Sequence, residues 1–540
     1  MISGARQAEP TWFHKMVARA MSRRLEAFVV PGPDVARALG LDVEDAGLRI
    51  VDTPRHANVL LLLGELPEGL KEAAAVAYAQ MMRPRTIFAV GAEDVAPLPE
   101  PDVSVALDPD SLAGGVEELR RSFAEGAFAP GAEDFEAEVV QEEEEEEGGM
   151  DHGHMHHGSG GEEEEQGEDS EDDETEDDGT EEGESEEKEI GEDQLEDFMS
   201  MLEMTQGMPA SGDGLIMEWV PAPYGPLFPG LPGGLSLIFT LDGDTVAETE
   251  VEPGIEGHSP AALLRGPVES VAERAAKLDP LTPVAYRLLV RRAIENAAGK
   301  EIRDEEALSR VGALERERAA SHLGWAASFG YLIGDGWLSR QAARLQLALL
   351  RAESVDEVGR IRGDVEDFIR KTLRRPLLGS KLGEIGVLDK AAEEASGAVA
   401  RAAGSQKDAR SEDPTYKDLG FSPVVRDGND ALARFRLRLE EVKQSLDLVL
   451  EAGTMAGTAA GAGSLSDDAS SGTGTATVET PRGTAAIGVT LEDGKITAAE
   501  LDAPSKRNVR LVEAVTVGKE VADALVGVGS LDLSPWEMSG

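Results

Sequence analysis

The chain has 540 residues, 41% hydrophobic and 29% charged, which suits roughly two to four domains with ordinary buried cores and excludes disorder throughout. It has no cysteine, which excludes thiolate-held iron–sulfur and nickel–iron centres in their usual form. The net charge of -54 repels phosphate backbones and no basic stripe offsets it, so nucleic acid is not an expected partner.

In chain order, the basic N-terminus (Arg6, Lys15, Arg19, Arg23, Arg24) leads into no apolar signal core before Glu26, so a cytoplasmic location is expected. Residues 25–130 read as an α/β domain. Val59–Leu63 forms a buried strand, Pro67 opens a helix to Met82, and Thr86–Val90 forms the next strand, one βαβ unit with a parallel pair. A further strand is expected over Val103–Leu107, then a helix capped by Asp110 or Ser111 that runs to Phe123. No apolar run reaches the ~18–20 residues that span a bilayer; the longest, Val59–Leu63, ends at Gly64 and Glu65.

Residues 131–213 read as a disordered acidic linker. Between 131 and 197 stand 34 Asp and Glu against one Lys, a net -33 that leaves -21 for the rest of the chain. Within it His152, His154, His156 and His157 beside Asp151 form a weak candidate chelate for Ni, Cu or Zn, against the plainer reading of a solvated insert. The segment 214–452 opens with a hairpin, Leu235–Leu241 and Thr245–Val251 about a turn at Asp242 and Gly243. Apolar residues then recur at three and four spacing over Thr282–Ala298, Glu305–Ile333, Ser339–Arg351, Asp356–Leu373 and Asp430–Glu451, which predicts an α-helical core. Residues 453–476 read as a flexible loop. From 477 to 540 strands are expected over Ala485–Val489 and Ile496–Leu501, then a helix near Lys519–Leu525.

Several segments carry a resemblance. The run TPRHANVLLLLGELPEGLKEAAAVAYAQMMRPRTIFAVGA, Thr53–Ala92, resembles the strand–helix–strand core of the small subunit that carries the terminal cluster in respiratory complex I and group 4 [NiFe] hydrogenases. GPLFPGLPGGLSLIFTLDGDTV at 225–246, LDPLTPVAY at 278–286, ERAASHL at 317–323 and DALARFRLRLEEVKQSL at 430–446 resemble the partner large subunit, in its order. VETPRGTAAIGVTLEDG at 478–494 and VGSLDLSPW at 528–536 continue the match. The resemblance implies an α+β multidomain chain. Its N-terminal domain would be flavodoxin-like, and its hydrogenase-large-subunit-like helical core would carry a hairpin and a small β-containing C-terminal region.

The departures bear on chemistry. Where the small subunit ligates a cluster after the strand matching Thr86–Val90, this chain has Gly91, Ala92, Glu93 and Asp94. Where the hydrogenase tail carries its second cysteine pair, it has Leu531, Asp532, Leu533, Ser534 and Pro535, and the first pair has no counterpart between Gly254 and Leu281. The positions that offer hydrogen bonds to a quinone in complex I are Phe228, Pro232 and Pro280 here, none of which can donate one. Retained polar positions are Arg318 and His322 at i and i+4, the row Arg434, Arg436, Arg438, Glu440 and Glu441, Arg55, and His258. They read either as a remnant polar site or as structural ion pairing.

No iron–sulfur cluster and no NiFe centre is expected. The resemblance implies a non-redox cytoplasmic subunit, peripheral on the inner face of the membrane, with antiporter-like ion-translocating membrane subunits as partners. The alternative is an NADH-quinone oxidoreductase-type subunit, linked to NAD and quinone, with its electron centres on other chains. The α/β domain is expected to dock on the hairpin loop at Phe228 and Pro232 through the loop at Gly91.

Overall fold

A computed structural model of the chain describes residues 22, 24–125, 219–252, 255–389, 394–455 and 471–539, all within one compact unit. The acidic linker and its four histidines lie outside the described residues.

The N-terminal part is a five-stranded parallel sheet in the order β2-β1-β3-β4-β5. Its strands are β1 (Glu26–Val30), β2 (Arg49–Ile50), β3 (Val59–Leu63), β4 (Thr86–Val90) and β5 (Val103–Val105), with α1 (Pro33–Ala38), α2 (Glu68–Gln80) and α3 (Pro109–Glu125) between and after them. β3 and β4 are buried at every position, which is why they read as unbroken apolar runs rather than alternating ones. Helix α3 is not capped by Asp110 or Ser111. Asp108 accepts from the Ser111 amide at 2.9 Å and from its hydroxyl at 2.6 Å, two residues earlier than expected.

The rest is built on a helical bundle: α4 (Pro283–Ala297), α5 (Asp304–Leu332), α6 (Gly336–Arg351), α7 (Val355–Leu373) and α8 (Ala431–Ala452). Acidic Asp304, Glu305 and Glu306 start α5, matching the positive end of its dipole. From Arg310 to Ala327 α5 is buried on all sides, so it forms the axis around which α6 and α8 pack. A side chain at Gly324 would fall 2.4 Å from Gln346 Nε2, so glycine lets α6 approach that closely. Asp335, Ser354 and Asp430 cap α6, α7 and α8 through the amide three residues on.

Two antiparallel sheets complete it. One is β6 (Val220–Tyr224), β7 (Leu237–Asp242) and β8 (Thr245–Val251). The other has the order β10-β11-β12-β9, from β9 (Gly266–Pro267), β10 (Ser471–Thr480), β11 (Gly483–Glu492) and β12 (Lys495–Asp502), and packs on α4. The expected loop 453–476 is thus corrected at its end. Residues 471–476 are strand, fixed by pairing to 487–492, while 456–470 lie outside the described residues. The C-terminal helix α9 is Val521–Leu531, longer than expected.

The α/β part meets the bundle at the carboxyl ends of β1 and β3, the two strands between which the sheet order reverses. A side chain at Gly233, after the Phe228 turn, would lie 2.3 Å from the Pro31 carbonyl oxygen. Arg37 donates to Gln346 Oε1 and Ser328 Oγ at 3.1 Å each, and Lys277 pairs with Glu65. The expected contact through Gly91 gives way to these. Gly91 stands against Leu107, and Phe228 packs edge-on against Tyr224 at 5.2 Å. In an open parallel sheet the crevice forms where the strand order reverses, and Gly91 follows β4, one strand away from it.

Candidate functional site

Charged side chains that the fold has buried form two networks, the first of them anchored on α5. In the first, Arg401 donates to Glu441 at 2.8 Å and to Glu479 at 2.7 Å, and pairs with Asp408 at 3.2 Å. Arg410 holds Asp408 at 2.7 Å and Glu315 at 3.2 Å. Arg318 pairs with Glu315 and donates to the Thr480 and Glu479 carbonyls at 2.8 and 2.6 Å, fastening α5 to the end of β10. His322 lies 2.9 Å from Glu441 through Nε2. Burial, the largest influence on Glu441, opposes its ionisation. Arg401 and His322 outweigh it and hold the carboxyl well below its usual range. Burial, offset only in part by Glu441, pushes His322 down, so the ring is neutral near pH 7.

The second network closes the C-terminal tail. Arg482 donates to Asp279 at 2.9 Å and pairs with Asp532 at 3.4 Å, and Arg438 faces Asp532 at 3.6 Å. Ser534 donates to Asp279 at 3.1 Å. Glu537 accepts from Tyr286 at 2.8 Å and from the Ser505 amide and hydroxyl at 3.0 and 2.5 Å. Nearby, Glu317 accepts the Val284 and Ala285 amides at the start of α4, at 2.6 and 2.8 Å. Burial pushes Glu317 and Glu537 each up to about 7.

A cavity of about 40 Å³, room for two or three waters by volume, lies between the α/β part and this network. Asp34, Pro232, Leu281, Ser321, Gln346 and Arg482 are among its lining residues. Of the three positions aligned with quinone ligands, Pro232 lines the cavity, Pro280 precedes Leu281, and Phe228 lies outside it.

The structure sorts the retained positions. Arg318, His322, Arg434, Arg438 and Glu441 are buried, whereas Arg436 is exposed and Glu440 pairs with Arg426 toward solvent. Among the described residues no carboxylate forms an ion pair with Arg434. The guanidinium donates to Ser530 Oγ and the Gly386 and Asn429 carbonyls, and burial brings it down to about 9. His258 is buried edge-on against Trp536, with Nε2 3.2 Å from the Leu278 carbonyl. Arg55 is exposed on the turn Pro54–His56, apart from the others. Sequence reasoning did not single out Arg401, Arg410, Glu315, Asp279 or Arg482 as members of these networks. Glu315 carried a signal, standing three residues before Arg318 on the same face of α5.

The donor set does not fit the metal centres of the resembled subunits. The tail positions Asp532 and Ser534 are engaged by Arg482, Arg438 and Asp279, and the sequence has no thiol. In the α/β part, Asp94 of the loop after β4 is taken by Lys71 at 2.8 Å. Among the described residues no three His, Asp or Glu side chains converge to hold a cation.

A chain of the membrane-bound sulfane sulfur reductase, an archaeal respiratory membrane complex, superposes with a TM-score of 0.54 over 60% of this chain and 98% of its own, at 22% identity. Residues 353–462 match the family described as respiratory-chain NADH dehydrogenase, 49 Kd subunit. A D-type subunit of the NADH-quinone oxidoreductase of Salinispora tropica is 28% identical over 46% of this chain and 72% of its own length. The alpha subunit of the membrane-bound hydrogenase of Pyrococcus furiosus is 26% identical over 43% of this chain, and the match spans 64% of the Pyrococcus protein, just under two thirds. The chain is thus similar, over part of its length, to subunits of respiratory NADH dehydrogenases and of a membrane-bound hydrogenase. No helix among the described residues is long and apolar enough to cross a membrane.

Proposed function

We propose that the chain is a non-redox subunit of a complex I- or hydrogenase-related membrane complex, peripheral on the cytoplasmic face, which caps or couples antiporter-like ion-translocating subunits. The observation that carries this reading is the second network. Where the family resemblance places the thiolates of the tail, Asp532 and Ser534 are locked by Arg482 and Asp279, an ionic closure in place of a metal one. In this reading residues 25–130 are a flavodoxin-like, small-subunit-like domain fused through 131–213 to a large-subunit-like part, 214–452 and 477–540. The chain itself carries no iron–sulfur cluster and no NiFe centre. Arg318 and His322 serve structure, and the linker histidines serve no stoichiometric metal site.

A second reading, a subunit of NADH-quinone oxidoreductase type with its electron centres on other chains, draws support from the Salinispora relative. Isolation of the native complex, with subunit identification and metal analysis, separates the two. Antiporter-like subunits without any cluster-bearing chain support the first. Co-purifying cluster-bearing chains with NADH-dependent quinone reduction would establish the second.

A further inference from the structure

The carboxyl end of α7 and the short helix Leu378–Leu382 carry chemistry that neither network uses. From Arg370 to Leu382 the chain has five basic residues, Arg370, Lys371, Arg374, Arg375 and Lys381, and no acidic one, in a sequence with 105 acidic residues against 51 basic. The segment has two faces. Thr372, Leu378 and Leu382 are buried, while Leu373 is 42% and Leu377 66% exposed, with Arg374, Pro376 and Lys381 exposed beside them.

Part of this charge has a local account. Asp367 pairs with Arg370 and Lys371, and Asp335 pairs with Arg375 at 2.8 Å. Basic residues also suit a helix C-terminus. That account leaves Arg374 and the two leucines around it. Lys381 Nζ donates to the Ile333 carbonyl at 2.7 Å, tying the segment to the end of α5, where Tyr331 is 43% exposed. Two large exposed apolar side chains, Leu373 and Leu377, therefore stand with basic ones along this segment, while Tyr331, whose hydroxyl bonds Asp52, is half-exposed at the end of α5 that Lys381 reaches.

We propose that this end of the bundle, with Leu373 and Leu377 foremost and Arg374, Lys371 and Lys381 around them, rests on an anionic lipid surface. Leucine side chains enter the headgroup–acyl boundary, a tyrosine ring suits the interface, and the basic heads meet lipid phosphates. An acidic polypeptide, including this chain's own run at 131–197, would match the charge. Its stretch up to Phe198 has few apolar residues to cover Leu373 and Leu377, so lipid is favoured. The overall charge of -54 does not forbid contact, because exposed charges beyond about 8 Å are largely screened at physiological ionic strength. The inference takes its biological sense from the membrane-complex reading. Its test needs no partner subunit, so the two fail independently.

The test is flotation of the purified full-length chain with vesicles of phosphatidylcholine alone or mixed with phosphatidylglycerol. The chain is expected to float with the mixed vesicles only. Arg374→Glu, a change of two charge units, weakens binding by about 25-fold at about fivefold per unit, and Leu377→Ser weakens it by removing an inserting apolar side chain. Both side chains are exposed, so thermal transitions that match the parent verify that the variants fold. Absence of flotation, equal flotation with neutral vesicles, or binding unchanged in both variants overturns the proposal. Zero-length crosslinks from Lys371 or Lys381 to residues 131–197, found with no flotation, assign the patch to the acidic run instead.

Discussion

The two buried networks differ in how many cations they hold. Around Glu315, Asp408, Glu441 and Glu479 stand Arg318, Arg401 and Arg410, and Glu315, Asp408 and Glu441 are held below their ordinary range despite burial. Around the tail Arg482 serves both Asp279 and Asp532, while among the described residues the hydrogen bonds to Glu317 and Glu537 come from neutral donors, and both carboxyls rise to about 7. Burial penalises a carboxylate alike in both places, so the supply of guanidinium decides which network is permanently charged. The first therefore acts as fixed ionic scaffolding, and the second keeps carboxyls that change protonation near neutral pH.

The largest expected effect comes from Arg401→Met. It takes the guanidinium from Glu441 and Glu479 in the interior, while Asp408 keeps Arg410, at a cost of about 3–5 kcal/mol, read as a lower denaturation midpoint or loss of soluble protein. Restoration of part of that stability by the added change Glu441→Gln would show that stranded charge, rather than lost packing, is the cause. Arg482→Met should cost less, roughly 2 kcal/mol, because Asp279 keeps the Thr282 and Ser534 hydroxyls and Asp532 keeps Arg438. It should also make the tail after Leu533 cleavable in limited proteolysis.

The networks respond to pH with opposite sign. Glu441 has a lowered folded pKa, so its stabilisation is present above the unfolded value of 4.5 and is lost as pH falls. Glu317 has a raised one. Its stabilisation is full below 4.5 and is lost as pH rises toward 7, because the unfolded chain releases the proton first. Denaturant titrations at pH 5 and pH 8 should show that Glu317→Gln removes a decline on the order of 2 kcal/mol. Loss of that decline only in a variant of the first network would reverse the comparison. The smallest effect is expected from Arg55→Ala, within about 0.5 kcal/mol of the parent, since the side chain is exposed and outside both networks.

The bundle was legible because each long helix repeats apolar residues at its own period. Glu305–Ile333 differs from the observed α5 by one residue at each end. The inner strand β1 was not, since Ala27–Val30 is cut short by Pro31 and Pro33 and has no alternation to mark it. The glycines, threonines and alanines of β10 look like a linker, and only antiparallel pairing with β11 makes them a strand. Arg318, His322, Arg438 and Glu441 were found through their place on helices within matched segments. Their partners Arg401, Asp408 and Arg410 stand on a six-residue helix and a turn, where no periodicity exists, and meet α5 only on tertiary closure.

Anaerobic reconstitution of the purified chain with iron, sulfide and nickel tests the central claim most directly. Without a thiolate, and with the tail closed by Arg482, the chain should end with substoichiometric metal and no paramagnetic cluster signal on reduction. Stoichiometric iron with such a signal would contradict the account.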